Sequence, residues 1–464
     1  MKVLLVYPRS VNAFTTLEGG FRIAPGLLYV AEATRAQGHT VRLAIADVRH
    51  LIRELKRFQP DVLGVSSITA SYPAAVRLVR AAKQHSPETV TVMGGIHVTF
   101  LPEKAMAESG VDYVIRGEGE AGFPQLLRAL ETGEDVASVP GLCYRKGTAY
   151  VIGDITYVAD LDALPYPSHG LVPHRAVLEP FVYSSRGCPN RCAFCTIPRF
   201  YGGKVRTRSV DFVIDEITRL EKAGYKHFLF QDDNFTANPE RVEAICDRMI
   251  DRGIHIKWGC QATLAMVAEH PDVVRKMAKA GCSSMTIGIE SGISEVLASY
   301  HKPQTVYQAH EAIRFMKSTK ITDFWYFMFG SADQYDTEEY WEANAEYLFS
   351  IDIDLANISL LTPYPGTEMY ERLSAANRIV EPDWEKWDSS HCVYQPEGAS
   401  RQRLEHIYSE TLRKFYVQRS PIRNIKAIAK ATRCGRYSVR GTLAFLALVA
   451  AESARRRKTT RMAS

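Results

Sequence analysis

Short apolar, β-branched runs alternate with longer amphipathic stretches over the first 130 or so residues. The runs at 2–7, 40–46, 61–66, 89–93 and 113–115 read as buried strands. Between them, 26–35, 51–58, 73–83 and 123–130 space their apolar residues as helices do. Strands alternating with helices predict a parallel, doubly wound, Rossmann-like sheet that binds ligands at the carboxyl ends of its strands. Residues 141–145 and 150–152 flank a Lys-Gly turn and predict a small hairpin, followed by an extended, Pro-stiffened linker at 161–167. A second alternation begins near Phe181, with strands expected at 181–185, 227–231, 255–261, 284–290, 323–329 and 355–361. Helical patterns such as 211–222 and 240–250 separate them. Six such units predict a partial (β/α)6 barrel whose chemistry sits at its C-terminal mouth. The expected division is a Rossmann-like domain over 1–140, hairpin and linker over 141–178 and a barrel over 179–375. A helical extension over 376–420 and a basic tail with a short apolar helix over 421–464 complete it.

At 464 residues the chain exceeds what one hydrophobic core serves. The net charge of +5 misleads, because 11 basic residues and a single acid lie from Pro421 onward. The body keeps 46 Lys and Arg against 51 Asp and Glu, a net of −5, which argues against a nucleic-acid binder. Met1-Lys2 runs directly into an apolar strand with no secretion-type leader, so a cytoplasmic location is expected. Within the tail, basic residues flank the apolar run 443–451, which is too short to cross a bilayer. Two readings stay open: peripheral contact with an anionic inner-membrane surface, or a helix packed on the barrel followed by a soluble end.

Three of the nine cysteines fall within eight residues, in Ser185-Arg186-Gly187-Cys188-Pro189-Asn190-Arg191-Cys192-Ala193-Phe194-Cys195. In a reducing compartment such clustering points to metal rather than disulfides. Three thiolates after a strand can hold three irons of a cubane and leave the fourth open, since cubanes normally take four cysteines. A zinc knuckle lacks its fourth ligand here, and three buried structural cysteines would not need this spacing.

The segment resembles the Cys-x3-Cys-x2-Cys motif of radical S-adenosylmethionine (SAM) enzymes, including the aromatic Phe194. The resemblance implies a 4Fe-4S cluster on Cys188, Cys192 and Cys195, with the open iron binding SAM. Cleavage of SAM then yields a 5′-deoxyadenosyl radical that abstracts hydrogen from unreactive carbon. It also implies a reductant such as flavodoxin or ferredoxin. Gln231-Asp232-Asp233-Asn234-Phe235 resembles the segment contacting the methionine amino group, where a carboxylate suits an ammonium. Ile287-Gly288-Ile289-Glu290-Ser291-Gly292 resembles the segment whose Glu holds the ribose, and Gln261 occupies a strand end facing the same site. The bland readings are a helix N-cap for Asp232 and Asp233 and a solvated strand end for Glu290. Thr362-Pro363-Tyr364-Pro365-Gly366-Thr367 matches a loop common after the sixth strand. Relatives often carry Gly-Leu-Pro-Gly after the fifth strand, where this chain has Gly330-Ser331-Ala332-Asp333, so a remodelled substrate side is expected. The aromatic run Phe324–Phe329 lies there, and alternation alone does not say which rings face a pocket.

Domain order and the Leu-x-x-Leu-Pro-Tyr-Pro linker resemble the cobalamin-binding class of radical SAM enzymes over roughly residues 1–375. Gly94-Gly95-Ile96-His97 and Arg116-Gly117-Glu118-Gly119-Glu120 follow strands, where glycines allow close approach of a bulky ligand. Gly94, Gly95, His97, Gly117 and Glu118 are therefore candidate cobalamin contacts, with Ser66, Ser67 and Thr69 as hydroxyl contacts to its nucleotide tail. No Asp-x-His-x-x-Gly loop is present, so cobalt without a histidine ligand is expected; a scaffold that has lost its cofactor is the alternative. The class implies methylation of an unactivated carbon in a secondary metabolite, lipid or tetrapyrrole-like substrate. Radical oxidative cyclisation comes second, and a cobalamin-based sensor is disfavoured because sensing needs no cluster.

Overall fold

The computed structural model describes residues 1–9, 25–167, 169–171, 180–418 and 421–433. Strands β1 (Lys2–Pro8), β2 (Thr40–Ala46), β3 (Val62–Ser66), β4 (Val90–Gly94) and β5 (Tyr113–Ile115) pair in parallel in the order β2-β1-β3-β4-β5. The hairpin strands β6 (Leu142–Lys146) and β7 (Ala149–Ile152) extend this sheet antiparallel from β5. Separate apolar cores cover its two faces, one including Leu55, Leu78 and Met106, the other Leu27, Phe123 and Leu126. That two-sided burial is why the strands read as continuous apolar runs rather than alternating ones.

The first predicted barrel strand divides in two. β8 (Phe181–Val182) stays in the barrel, whereas β9 (Ser185–Arg186) leaves it to pair antiparallel with β10 (Arg206–Thr207). The break falls at Ser184, whose amide and hydroxyl both donate to Asp232, at 2.7 and 2.6 Å. The barrel continues through β11 (His227–Phe230), β12 (Lys257–Ala262), β13 (Cys282–Glu290), β14 (Thr322–Phe329) and β15 (Ala356–Leu360). Its order β8-β11-β12-β13-β14-β15 is wholly parallel and open, a partial barrel as expected. β12 begins two residues later than predicted because the His255 and Ile256 amides donate to the Glu221 carboxylate, at 2.7 and 3.1 Å. On β14, Trp325, Phe327 and Phe329 pack into the large core on one face, while Phe324, on the other face, packs against Leu355 and Ala427.

The stretch 376–400 is mostly irregular rather than helical, as Pro382, Pro396 and Gly398 would favour. It straps the two sheets together. Trp384 meets the His97 ring at 4.8 Å, and Glu385 pairs with Arg77 at 2.8 Å. Helix Arg401–Arg413 follows. The start of the expected basic tail forms helix Pro421–Arg433, docked under the barrel. There Lys430 donates to Asp323 at 2.6 Å and to Asp354 at 3.3 Å, while Ala427 packs with Leu355 and Phe324. The apolar run 443–451 lies outside the described residues. No helix among the described residues is long and apolar enough to cross a membrane.

Candidate active site

The cysteine loop is fixed at both ends. Gly187, at φ +98° and in a position where a Cβ would strike the Lys204 carbonyl, donates its amide to Asp233 at 2.8 Å. Further on, the Ala193 amide donates to the Tyr300 carbonyl at 2.9 Å, and Phe194 meets the Tyr300 ring edge-on at 5.3 Å. Burial pushes all three thiols up, Cys192 to about 11 and Cys195 to about 12. A metal is therefore needed to keep them as thiolates near neutrality. No disulfide links the described cysteines. No three His, Cys, Asp or Glu among the described residues converge on one ion position. A cubane does not require that, because each thiolate binds a different iron. The residues fit a three-cysteine cluster.

Asp233 is half-buried, and desolvation pushes its carboxyl up to about 6. Asp232 is committed elsewhere. Its two oxygens accept from the Ser184 amide and from the Ser184 and Ser185 hydroxyls at 2.6–2.7 Å, so it props the loop rather than opening toward a ligand. Glu290 sits at φ +65° beside a register shift between β13 and β14, a bulge that re-aims its side chain. It pairs with Lys302 at 2.8 Å. Gly288 leaves room for this carboxylate, which an added Cβ would strike. Gln261, half-buried at the end of β12, accepts the Phe235 amide on its carbonyl at 3.2 Å.

Sequence reasoning missed Lys302. Burial works against its ammonium, but Glu290 and the nearby Cys192 and Cys195 outweigh that and raise its pKa. Lys302 thus places a buried positive charge beside the thiols, where a SAM carboxylate or the cluster's own charge can use it. A lone Lys in a polar loop gives no sequence signal of this.

A cavity of about 220 Å³, partly open to solvent, lies between the carboxyl ends of the first sheet and the cysteine loop. From the sheet side, Ser66, Ser67, Gly94, Gly95, Gly117 and Glu118 line it; from the barrel side, Tyr183, Arg186, Phe200 and Tyr201 do. Ser67 is fully buried and its hydroxyl finds no partner within the chain. Gly95 (φ +101°) has no room for a side chain, since a Cβ would meet the Ser67 backbone. An apolar, glycine-edged cavity with an unsatisfied hydroxyl fits a large planar cofactor such as cobalamin.

Two of the expected cobalamin contacts are corrected. His97 and Thr69 are absent from the cavity lining. They bond to each other at 3.2 Å, with the His97 ring 4.2 Å from that of Tyr72, because the short helix Ile96–Phe100 and the turn Thr69–Ser71 bury their side chains in the core. Burial pushes His97 down to about 3. Glu118 lines the cavity, but its carboxylate is spent on Arg186, Arg206 and the Val158 amide at 2.6–2.8 Å.

Fold and site together define an iron–sulfur, SAM-dependent enzyme with an accessory cofactor domain. The B12-binding domain profile matches residues 19–127, and the radical SAM superfamily profile matches residues 182–348. An uncharacterised methyltransferase of Pyrococcus horikoshii is 32% identical over 90% of this chain and 93% of its own length. The anaerobic magnesium-protoporphyrin IX monomethyl ester cyclase of Cereibacter sphaeroides is 26% identical, over 90% of this chain and 71% of its own. The radical SAM methyltransferase TsrM of Kitasatospora setae, solved with cobalamin and a 4Fe-4S cluster, shares the fold at a TM-score of 0.70 and 18% identity, covering 82% of this chain and 79% of its own. The chain belongs to the radical SAM superfamily, in the branch that carries an N-terminal B12-binding domain.

Proposed function

We propose that this chain is a cobalamin-dependent radical SAM methyltransferase acting on an unactivated carbon of a small molecule, which the class allows to be a secondary metabolite, lipid or tetrapyrrole. The observation that carries the reading is the shared chamber: Tyr183 and Arg186, immediately before the cysteine loop, line the same cavity as the glycine-rich sheet edge. When bound, the cluster and SAM supply a 5′-deoxyadenosyl radical and cobalamin supplies a methyl group. The chain's own residues supply position. Cys188, Cys192 and Cys195 hold the cluster, Asp233 and Gln261 flank the SAM end, and Glu290 with Lys302 sets the polarity beside it. Ser66, Ser67, Gly94, Gly95 and Gly117 cradle the corrin side. A one-electron reductant of the flavodoxin or ferredoxin kind and a cytoplasmic location belong to this reading. Peripheral contact with an anionic leaflet belongs to it only for residues beyond 433.

The test is product analysis of the reduced, fully loaded enzyme. S-adenosylhomocysteine and 5′-deoxyadenosine should both appear, in step with a product heavier by one methyl group. Deoxyadenosine without adenosylhomocysteine would transfer the assignment to radical oxidative cyclisation, the activity named for the Cereibacter sphaeroides relative.

A further inference from the structure

Arg186 stands two residues before Cys188 and also lines the cavity at the sheet edge. Its guanidinium donates to Glu118 at 2.7 Å and to Glu120 at 2.8 Å, the N-cap and a first-turn residue of helix Gly119–Thr132 after β5. It lies 5.1 Å from the centroid of the Tyr29 ring and 5.6 Å from that of Tyr183. Arg206, its register partner across β9 and β10, forks onto the same Glu118 carboxylate at 2.7 and 2.8 Å. Two arginines thus face two carboxylates, and Arg186, Glu118 and Glu120 are each almost fully buried. Glu118, Glu120, Tyr183 and Arg186 also form one wall of the corrin cavity.

A buried ion network interacts more strongly as water leaves its surroundings, and its planar bidentate geometry resists displacement. A large ligand filling the cavity packs against this wall and restricts the motion of Glu118 and Glu120. The stiffened network then acts on the backbone at Arg186, from which Gly187 and Cys188 follow directly. The opposite order has the same consequence: a cluster that fixes Cys188 fixes the wall against which the corrin packs. Linkage makes the two effects equal in free energy.

We propose that Arg186, through Glu118 and Glu120, is a positioning residue that couples cobalamin binding to cluster binding. The inference rests on the cobalamin reading above. It requires that the full-length chain bind hydroxocobalamin more tightly with its cluster than without it, by on the order of tenfold. Anaerobic absorbance titration with hydroxocobalamin measures this on reconstituted protein and on protein stripped of iron by a chelator. Arg186→Lys keeps the charge but loses the fork, and Glu120→Gln removes one arm of the network while leaving Glu118 in place. Both variants should bring the affinity ratio between the two states close to one. A merely structural role would lower the melting temperature, or weaken binding equally in both states, and leave the ratio intact; that result overturns the inference. Equal affinity of the two wild-type states overturns it as well, while leaving cobalamin binding itself standing. Failure of the wild type to bind hydroxocobalamin in either state overturns the cobalamin reading together with the inference. Should Arg186→Lys fail to fold, the ratio in Glu120→Gln decides.

Discussion

Glu216 lies on helix Val210–Lys222, buried beside Tyr29 and Arg208, and neither of its carboxylate oxygens finds a hydrogen-bond partner within the chain. Burial pushes its carboxyl from 4.5 up to about 8, with Arg208 pulling the other way. The folded chain therefore holds this proton more tightly than the unfolded chain does. Stability falls as pH rises above about 4.5 and stops falling once the folded group ionises near 8. Glu216→Gln should match the wild type near pH 4.5 and melt progressively higher than it as pH rises to 8, as thermal denaturation across that range can measure. A constant difference would mean that Glu216 is already ionised in the fold. Gly95 gives a second residue-scale expectation. Its φ of +101° and the Ser67 backbone leave no space for a methyl group, so Gly95→Ala should cost about 2 kcal/mol or more and distort the edge of the cavity. Both a lower melting temperature and weaker cobalamin retention should follow. His97 and Glu118 mark where residue-level reading stops: each sits beside a glycine-rich turn, but one faces the core and the other an ion network.

Helix Pro421–Arg433 makes a prediction of its own kind. Composition assigned it to a basic tail, yet Lys430 is held by Asp323, whose side chain is only 5% exposed, and Ala427 covers Phe324 and Leu355. Ending the chain at Ser420 leaves that carboxylate unpaired and uncovers the apolar patch. Breaking a buried pair costs several kcal/mol, and the partial exposure of Lys430 reduces this to about 2 kcal/mol. The shorter chain should therefore melt a few degrees lower, whereas ending it after Arg433 should leave the melting temperature unchanged. The second truncation also isolates the membrane question, because it removes 443–451 but keeps the docked helix. If that run anchors the chain, the full length should sediment with anionic vesicles and the truncated chain should not. Added salt should weaken attachment, since exposed charges are screened over about 10 Å at 0.1 M.

Across the whole molecule, the corrin cavity is built from both sheets, so the axial environment of cobalt is a tertiary property. None of the described residues lining it is a histidine. Cob(II)alamin bound to the full chain should give an electron paramagnetic resonance spectrum without nitrogen splitting from a protein imidazole. Such splitting would identify a histidine outside the described lining, with His174 of segment 172–179 a candidate.

The sequence by itself determined the two βα alternations, the hairpin between them and the three-cysteine loop, because those signals are periodic or contiguous. A strand alternates or runs apolar over five residues, and the thiols that share a cluster lie within eight. The ends of elements were less legible: β8 stops early because Asp232, 48 residues away, takes the Ser184 amide and hydroxyl. Only the tertiary structure decided which polar residues serve a ligand and which serve the fold. Lys302 reaches Glu290 through a backbone turn over 12 residues, and Arg186 meets Glu118 across 68. Burial and pairing at such distances depend on how separately legible elements pack together, within the barrel for Lys302 and across the two domains for Arg186, and no local pattern records that packing.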